Sequence, residues 1–154
     1  MSRIGLISDT HGLLRPGALS FLDGADRIVH AGDICDPAVL ERLSEIAPVT
    51  AVRGNNDHGT WAERLNETEL LQIGAIRLYA IHDLAELDIE PQAAGVHVVV
   101  SGHSHRPRVE ERSGVLYVNP GSAGPRRFRL PIALGELIVD GAVVSARIHE
   151  LDGS

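Results

Sequence analysis

The stretch DRIVHAGDICDPAVLERLSEIAPVTAVRGNND, Asp26 to Asp57, decides how this chain folds. It opens on a short apolar run, DRIVHA, of strand length, which breaks into the polar GDICD. PAVLERLSEIA follows, with Val39, Leu40, Leu43, Ile46 and Ala47 at helical spacing. Asp36 before Pro37 is a natural N-cap for that helix, because its side chain can accept a backbone N–H the first turn leaves free. PVTAVR then reads as a second strand and breaks into GNND. Strands alternating with helices predict a layered α/β fold.

The same alternation extends toward the N-terminus. RIGLI reads as a buried strand, Ser8 to Gly12 as a polar loop, and PGALSFLDGA as a short helix with Pro16 in its first turn. The second half is richer in strands. ELLQIGAIRLYAIHD reads as two strands turning at Gly74-Ala75, and VHVVVSG as another. RPRVEERSGVLYVNPGS predicts a hairpin turning at Ser113-Gly114, and LGELIVDGAVVSARIHEL one turning at Asp140-Gly141. Leu84 to Gly95 reads as a helix interrupted at Pro91. Two packed sheets with helices outside accommodate this order, within one domain spanning residues 1–154.

Composition narrows the function. Apolar residues make up 44% and aromatics only 3%, so the core rests on Ile, Leu, Val and Ala. A net charge of -7 argues against general nucleic-acid binding, which calls for a basic face. It leaves room for a small phosphorylated substrate, because a bound metal reverses the local field. A single cysteine, Cys35, allows no intrachain disulfide, and no apolar run has the length of a membrane span. After Met1-Ser2-Arg3 the apolar run Ile4 to Ile7 is broken at Ser8-Asp9, too short for a secretory signal. A cytoplasmic protein is the expectation.

Chemistry gathers at the strand ends. SDTHG carries Asp9 and His11, AGDI carries Asp33, GNND carries Asn55 and Asp57, AIHD carries His82, and SGHSH carries His103 and His105. In open α/β sheets, sites form beyond the carboxyl ends of strands. Residues two apart in an extended segment point the same way, so Asp9 with His11, and His103 with His105, can each serve one small volume. Carboxylate, imidazole and amide oxygen together suit Mn, Fe, Zn, Ni or Co, and no thiolate motif suggests a structural zinc. Seven of these, Asp9, His11, Asp33, Asn55, His82, His103 and His105, exceed what one ion needs. Two ions sharing a carboxylate would use them all, with Asp33 the natural bridge. Such a pair, about 3.5–4 Å apart, activates water and neutralises phosphoryl oxygens. Gly12, Gly32, Gly54 and Gly102 would let the backbone turn sharply beside the site. Each residue taken singly has an ordinary explanation: Asp9 and Asp33 as caps, Asn55 as a turn, His82 as a strand-end histidine.

Taken jointly, DTH at Asp9–His11, GD at Gly32-Asp33, GN at Gly54-Asn55, His82 and GHSH at Gly102–His105 resemble the calcineurin-like metallophosphoesterases. Their order, the chain length and NPGS at Asn119–Ser122 are most similar to the small bacterial and archaeal phosphodiesterase branch. The resemblance implies a four-layer αββα sandwich, two mixed β-sheets packed face to face with helices on both outer faces. It implies one ion held by Asp9, His11 and His105, a second held by Asn55, His82 and His103, and Asp33 bridging them. The implied cofactors are two divalent transition-metal ions, manganese foremost, with Ni, Fe, Co or Zn as alternatives. The implied reaction is in-line attack by a hydroxide between the ions on a small phosphodiester. Two alternatives stay open: a phosphomonoesterase or nucleotide pyrophosphohydrolase on the same site, and a non-catalytic scaffold like the retromer subunit of this fold.

Two positions depart from the family pattern. Many members carry His after the GN asparagine; Asn56 stands here, able to donate a hydrogen bond to phosphate but not a proton. His58 could supply the missing acid. Many members also carry Gly-His after the His82 equivalent, where this chain has Asp83-Leu84. Both losses predict weak action on esters whose leaving group needs protonation. His30, His97 and His149 lie within strands and read as structural, with His30 supporting the site from behind. Cys35 reads as a buried small residue with no base paired to it. Arg126, Arg127 and Arg129 read as a solvated loop or a grip on a second phosphate, and Trp61 as packing or as a cleft wall. The strand-rich second half leaves sheet edges that a homodimer could cover.

Overall fold

Apolar alternation builds two sheets here, and their pairing follows from which strand faces are greasy. The structure, a computed structural model, describes residues 1–153. The first sheet is ordered β10-β9-β1-β2-β3, from β1 (Ser2–Ile7), β2 (Arg27–His30), β3 (Val49–Ala51), β9 (Ile132–Asp140) and β10 (Val143–Leu151). The second is ordered β4-β5-β6-β8-β7, from β4 (Thr68–Ile73), β5 (Ile76–Ile81), β6 (Val98–Val100), β7 (Arg108–Arg112) and β8 (Val115–Asn119). Both are mixed. β1, β2 and β3 run parallel, as do β5, β6 and β8, while the outer hairpins are antiparallel.

The sheets pack face to face. Ile4 and Leu6 of β1 meet Leu78, Val98 and Val100 of the opposite sheet in one buried cluster. Alternate residues of the first sheet, Ile7 and Ile28, point outward against α1 (Pro16–Leu22) and α2 (Pro37–Ser44). Burying each such side chain contributes about 1.5–3 kcal/mol. Gly5 sits between them without a side chain for a reason of space: a Cβ there would lie 2.4 Å from Leu22 Cδ2 of α1. The expected devices hold both helices, with Pro16 opening α1 and Asp36 Oδ1 accepting from Ala38 N–H at 2.9 Å to cap α2. Trp61, in the one-turn helix α3 (Thr60–Glu63), packs half-buried against this layer.

The sandwich is the one expected, but its second outer layer is thinner than a helix. The helix expected over Leu84 to Gly95 is a single 3-10 turn, Leu84–Glu86, followed by turns at residues 91–95. Asp83 caps that turn, accepting from Ala85 N–H at 3.0 Å, and Leu87 leaves it in an extended conformation. Pro91 then disfavours the helical region at Glu90. Leu84, Leu87 and Ile89 still cover the outer face of the second sheet, over Ile81, Val96, Val99 and Val115. Apolar cover was required; helical spacing was not. One hairpin turns where the sequence places it, at Ser113-Gly114, while the other turns one residue later than expected, at Gly141-Ala142, because Asp140 still pairs with Val143.

Candidate metal centre

β1 occupies the middle of the first sheet and β6 the middle of the second. Because β1, β2 and β3 are parallel, their carboxyl ends open on one edge, and those of β5 and β6 open opposite. The loops after β1 and β2 run side by side, with Asp9 N–H donating to Gly32 C=O and His11 N–H to Asp33 C=O, both at 3.0 Å. Across the sandwich, His103 N–H donates to Asp9 Oδ2 at 3.1 Å, tying the ends of β1 and β6 together.

This edge holds the expected residues. Asp9, Asp33, His82 and His105 are buried, His11 is half-buried, and Asn55 and His103 are exposed. Asp9 lies at the centre. Its Oδ2 accepts from the Ser8 hydroxyl at 2.7 Å and from His103 N–H. Its Oδ1 is buried and accepts no hydrogen bond, yet three imidazole Nε2 atoms face it: His105 at 3.4 Å, His11 at 3.9 Å and His82 at 4.0 Å. Asp33 Oδ2 lies 3.4 Å from His82 Nε2 and 3.8 Å from His11 Nε2. Two groups therefore have the compactness of a metal site: Asp9, His11 and His105, and Asp9, Asp33 and His82. Beside the second, His103 Nδ1 sits 3.2 Å from Asn55 Oδ1, and its ring meets that of His82 edge-on with centroids 5.2 Å apart.

The donor set fits divalent ions on the evidence of its orphaned atoms. Asp9 Oδ1, His11 Nε2 and His82 Nε2 are all buried without a hydrogen-bond partner. Leaving such groups unpaired costs roughly 1–3 kcal/mol each, and cations held by the two groups satisfy all three. The tautomer of His82 is fixed to suit: its Nδ1 donates to Ala31 C=O at 2.7 Å, leaving the Nε2 lone pair toward the cluster. Burial alone would raise the carboxyls, but histidines outweigh it. The adjoining His105, the Ser8 hydroxyl and the charge on His82 hold Asp9 below its ordinary value. His82 together with the Asn56 backbone N–H holds Asp33 far below the usual carboxylate range. Burial likewise opposes the charge on His82, yet Asp33 and Asp9 raise it overall.

Backbone strain concentrates here. Among the described residues, Asp9, His11, Asp33, His103 and His105 all adopt positive φ, between 46° and 72°. That conformation is uncommon for side chains with a Cβ, and it is held by surrounding structure. The neighbouring glycines divide in purpose. Gly12 and Gly32 turn at positive φ, as expected, whereas Gly54 and Gly102 serve close approach. A Cβ on Gly54 would lie 2.2 Å from Asp33 Oδ1, and one on Gly102 would lie 2.0 Å from Ser8 Oγ.

Asp57 is the residue sequence reasoning underused. Its buried carboxylate accepts four backbone N–H groups: Asp33 at 3.0 Å and Gly54 at 2.8 Å on Oδ2, Ile34 and Cys35 at 2.8 Å on Oδ1. It clamps the loop after β2 to the loop after β3. The signal was the acid two residues after Asn55, in a segment otherwise read for ligands. NPGS has a comparable part, since Asn119 Nδ2 donates to Gly102 C=O at 3.0 Å and to Ser104 Oγ at 3.2 Å.

Other expectations resolve individually. Asn56 donates its amide to Asp33 Oδ2 at 3.0 Å and its backbone N–H to Oδ1 at 2.9 Å, so the donor expected to meet phosphate is turned to the Asp33 carboxylate. His58 is exposed, with no hydrogen bond, ion pair or ring contact to the cluster among the described residues. His30 is fully buried: Nδ1 accepts from Gly32 N–H at 3.1 Å, so Nε2 donates to Thr10 Oγ1 at 3.0 Å. Burial pushes it down to about 3, and it supports both loops as a neutral ring. His97 accepts from Arg77 N–H at 2.9 Å and His149 stacks on Phe21, both structural. Cys35 corrects its expectation. It is exposed because the loop after β2 turns outward at φ 68°, and its Sγ lies 3.4 Å from His11 Nδ1. Partial burial of the thiol and the charges of Asp57, Asp33 and Asp9 push it up to about 11. Arg126, Arg127 and Arg129 lie exposed in a loop around Phe128.

Comparison with known proteins agrees with this geometry. Residues 2–140 match the family model of the calcineurin-like phosphoesterase superfamily domain. A probable metallophosphoesterase of Methanothermobacter thermautotrophicus is 34% identical, over 94% of this chain and 90% of its own. Phosphodiesterase YfcE of Escherichia coli is 30% identical over 89% and 88%. Its solved structure superposes with a TM-score of 0.71, at 29% identity over 93% and 91%. Vacuolar Protein Sorting 29 of Cryptosporidium parvum has the same fold, with a TM-score of 0.84 at 23% identity over 99% and 93%. Fold, strand-end donors and relatives together define a metal-dependent phosphoric ester hydrolase. Within that class, the chain belongs to the calcineurin-like phosphoesterase superfamily.

Proposed function

We propose that this protein is a dinuclear phosphodiesterase acting on a small diester. The observation that carries the reading is Asp9 Oδ1, buried without a hydrogen bond among the Nε2 atoms of His11, His82 and His105. In this reading Asp9, His11 and His105 hold one ion, Asn55, His82 and His103 a second, and Asp33 bridges them. Carboxylate oxygen and imidazole nitrogen together suit a borderline-hard ion, manganese first, with Ni, Fe, Co or Zn as substitutes. When bound, such a pair acidifies water and neutralises the phosphoryl oxygens.

The chain's own residues set the rest. Asn56 holds the Asp33 carboxylate in place, Asp57 holds the Asp33 backbone, and Ala31 C=O fixes the His82 ring. Neither Asn56 nor Leu84 can deliver a proton to a leaving oxygen. Diesters with good leaving groups are therefore favoured over esters that need an acid.

The test is a panel of activated diester, monoester and dinucleoside polyphosphate, each with Mn, Ni, Mg and Zn, beside elemental analysis. Metal-dependent turnover of the diester above the others is expected. Asp33→Asn should remove bridging and most activity. Wild-type rates in that variant would sink the mechanism. Absence of both bindable transition metal and turnover would favour a scaffold.

A further inference from the structure

Two cavities flank His103, and their charges are opposite. One, of about 300 Å³, is lined by Glu67, Asp83, Glu86 and Asp88 with only Arg53 against them. The other, of about 280 Å³, lies over β7 and β8 and is lined by Arg106, Arg108 and Arg112, with Asp83 and Glu110. In a chain of net charge -7 this clustering of arginines beside a phosphoesterase centre stands out.

The arginine cavity is built by strand alternation. Arg108, Glu110 and Arg112 share one face of β7, and Glu110 is paired in register with Tyr117 of β8. Glu110 is already neutralised, bridged by Arg108 and, at 3.6 Å, by Arg112. The Arg112 guanidinium lies over the Tyr117 ring, 4.4 Å from its centroid. That arrangement leaves a planar cationic surface on which an aromatic base can stack. Arg106 is one step from His105, and its guanidinium meets no carboxylate among the described residues. It is a free anion partner in the cavity wall. Leu84 and Val118 supply apolar wall. The volume is at the small end for ligand pockets and suits one nucleoside rather than a strand of nucleic acid.

We propose that this cavity seats the nucleotide arm of the substrate diester, the base against Arg112 and Tyr117 and a phosphate oxygen on Arg106. The acidic cavity on the other side of His103 repels that arm, so the diester has one orientation. This deepens the phosphodiesterase reading and rests on it.

The metal-loaded full chain is assayed with the p-nitrophenyl ester of thymidine 5′-monophosphate and with bis(p-nitrophenyl) phosphate. The nucleotide ester should have the higher kcat/KM by about tenfold or more, through KM. Arg106→Gln and Arg112→Gln, both exposed, should each collapse that ratio. A ratio near one, or a ratio unmoved by either variant, overturns the proposal. Turnover of neither ester overturns the phosphodiesterase reading instead. Calorimetry on the metal-free full chain then decides the cavity by itself. Thymidine 5′-monophosphate binding more tightly than thymidine or inorganic phosphate alone, and weakened in Arg106→Gln, supports it. No binding, or phosphate binding equally well, overturns it.

Discussion

Replacing Asp57 by Asn tests whether the centre is held by its carboxylate clamp. The side chain keeps its shape and loses its charge and one acceptor. In the native chain the carboxylate accepts from Asp33, Gly54, Ile34 and Cys35, at 2.8–3.0 Å. An amide can satisfy only one pair, and its NH2 then faces the N–H groups of the other. Hydrogen bonds to a charged group contribute about 1.5–3 kcal/mol each, so two losses come to about 3–6 kcal/mol. Cys35 is exposed, and water reaching its N–H recovers part of this. A net loss of about 3–4 kcal/mol follows, equivalent to a fall of about 10 °C in Tm for a chain of this size. Thermal and urea unfolding of the metal-free chain measure it, and elemental analysis reads the accompanying loss of bound metal. Asn55→Ala is the control, since Asn55 is exposed and its loss should lower metal content while leaving metal-free stability within about 0.5 kcal/mol. Equal metal-free stability of wild type and Asp57→Asn would refute the clamp.

Three further outcomes are expected. Gly102→Ala pushes a Cβ to 2.0 Å from Ser8 Oγ and 2.7 Å from Asp9 Oδ2, so metal affinity should fall about 10–100-fold, measured by chelator competition. An unchanged affinity would mean the loop yields freely. His30 titrates near 3 folded against an ordinary 6.5, so the unfolded chain takes up a proton first as pH falls. The stability it contributes is complete above about pH 6.5 and declines toward pH 3, by up to about 1.4 kcal/mol per unit. Urea unfolding of metal-free wild type and His30→Gln from pH 7 to 4 reads this as a shrinking difference; a constant difference contradicts it. Cys35, although exposed, should alkylate far more slowly at neutral pH than a free thiol and speed up toward pH 11. Fast labelling at pH 7 would show that His11 draws the proton away.

Much of the fold was legible because its causes are local. Asp36 and Pro37 announce the start of α2 within a few residues, and Ser113-Gly114 fixes its hairpin the same way. The failure at Leu84–Gly95 has the opposite cause. Leu84, Leu87 and Ile89 are apolar because a sheet face built from residues before and after them in the chain needs cover, and a 3-10 turn with extended chain covers it as well as a helix. Cys35 was misplaced for the same reason, since only the turn after Asp33 decides whether it faces in or out.

By itself the sequence determined the chemistry of the centre: which residue types end which strands, and that carboxylates, imidazoles and an amide alternate there. Residue type is written directly in the chain. The tertiary structure decided everything that depends on distance between loops. It brought His103 N–H to Asp9 Oδ2 across 94 residues and spent Asn56 on Asp33. It held five donor residues at positive φ and gathered the arginines of β7 beside a centre built from other strands. Those relations arise from the packing of two sheets, and no local pattern encodes them.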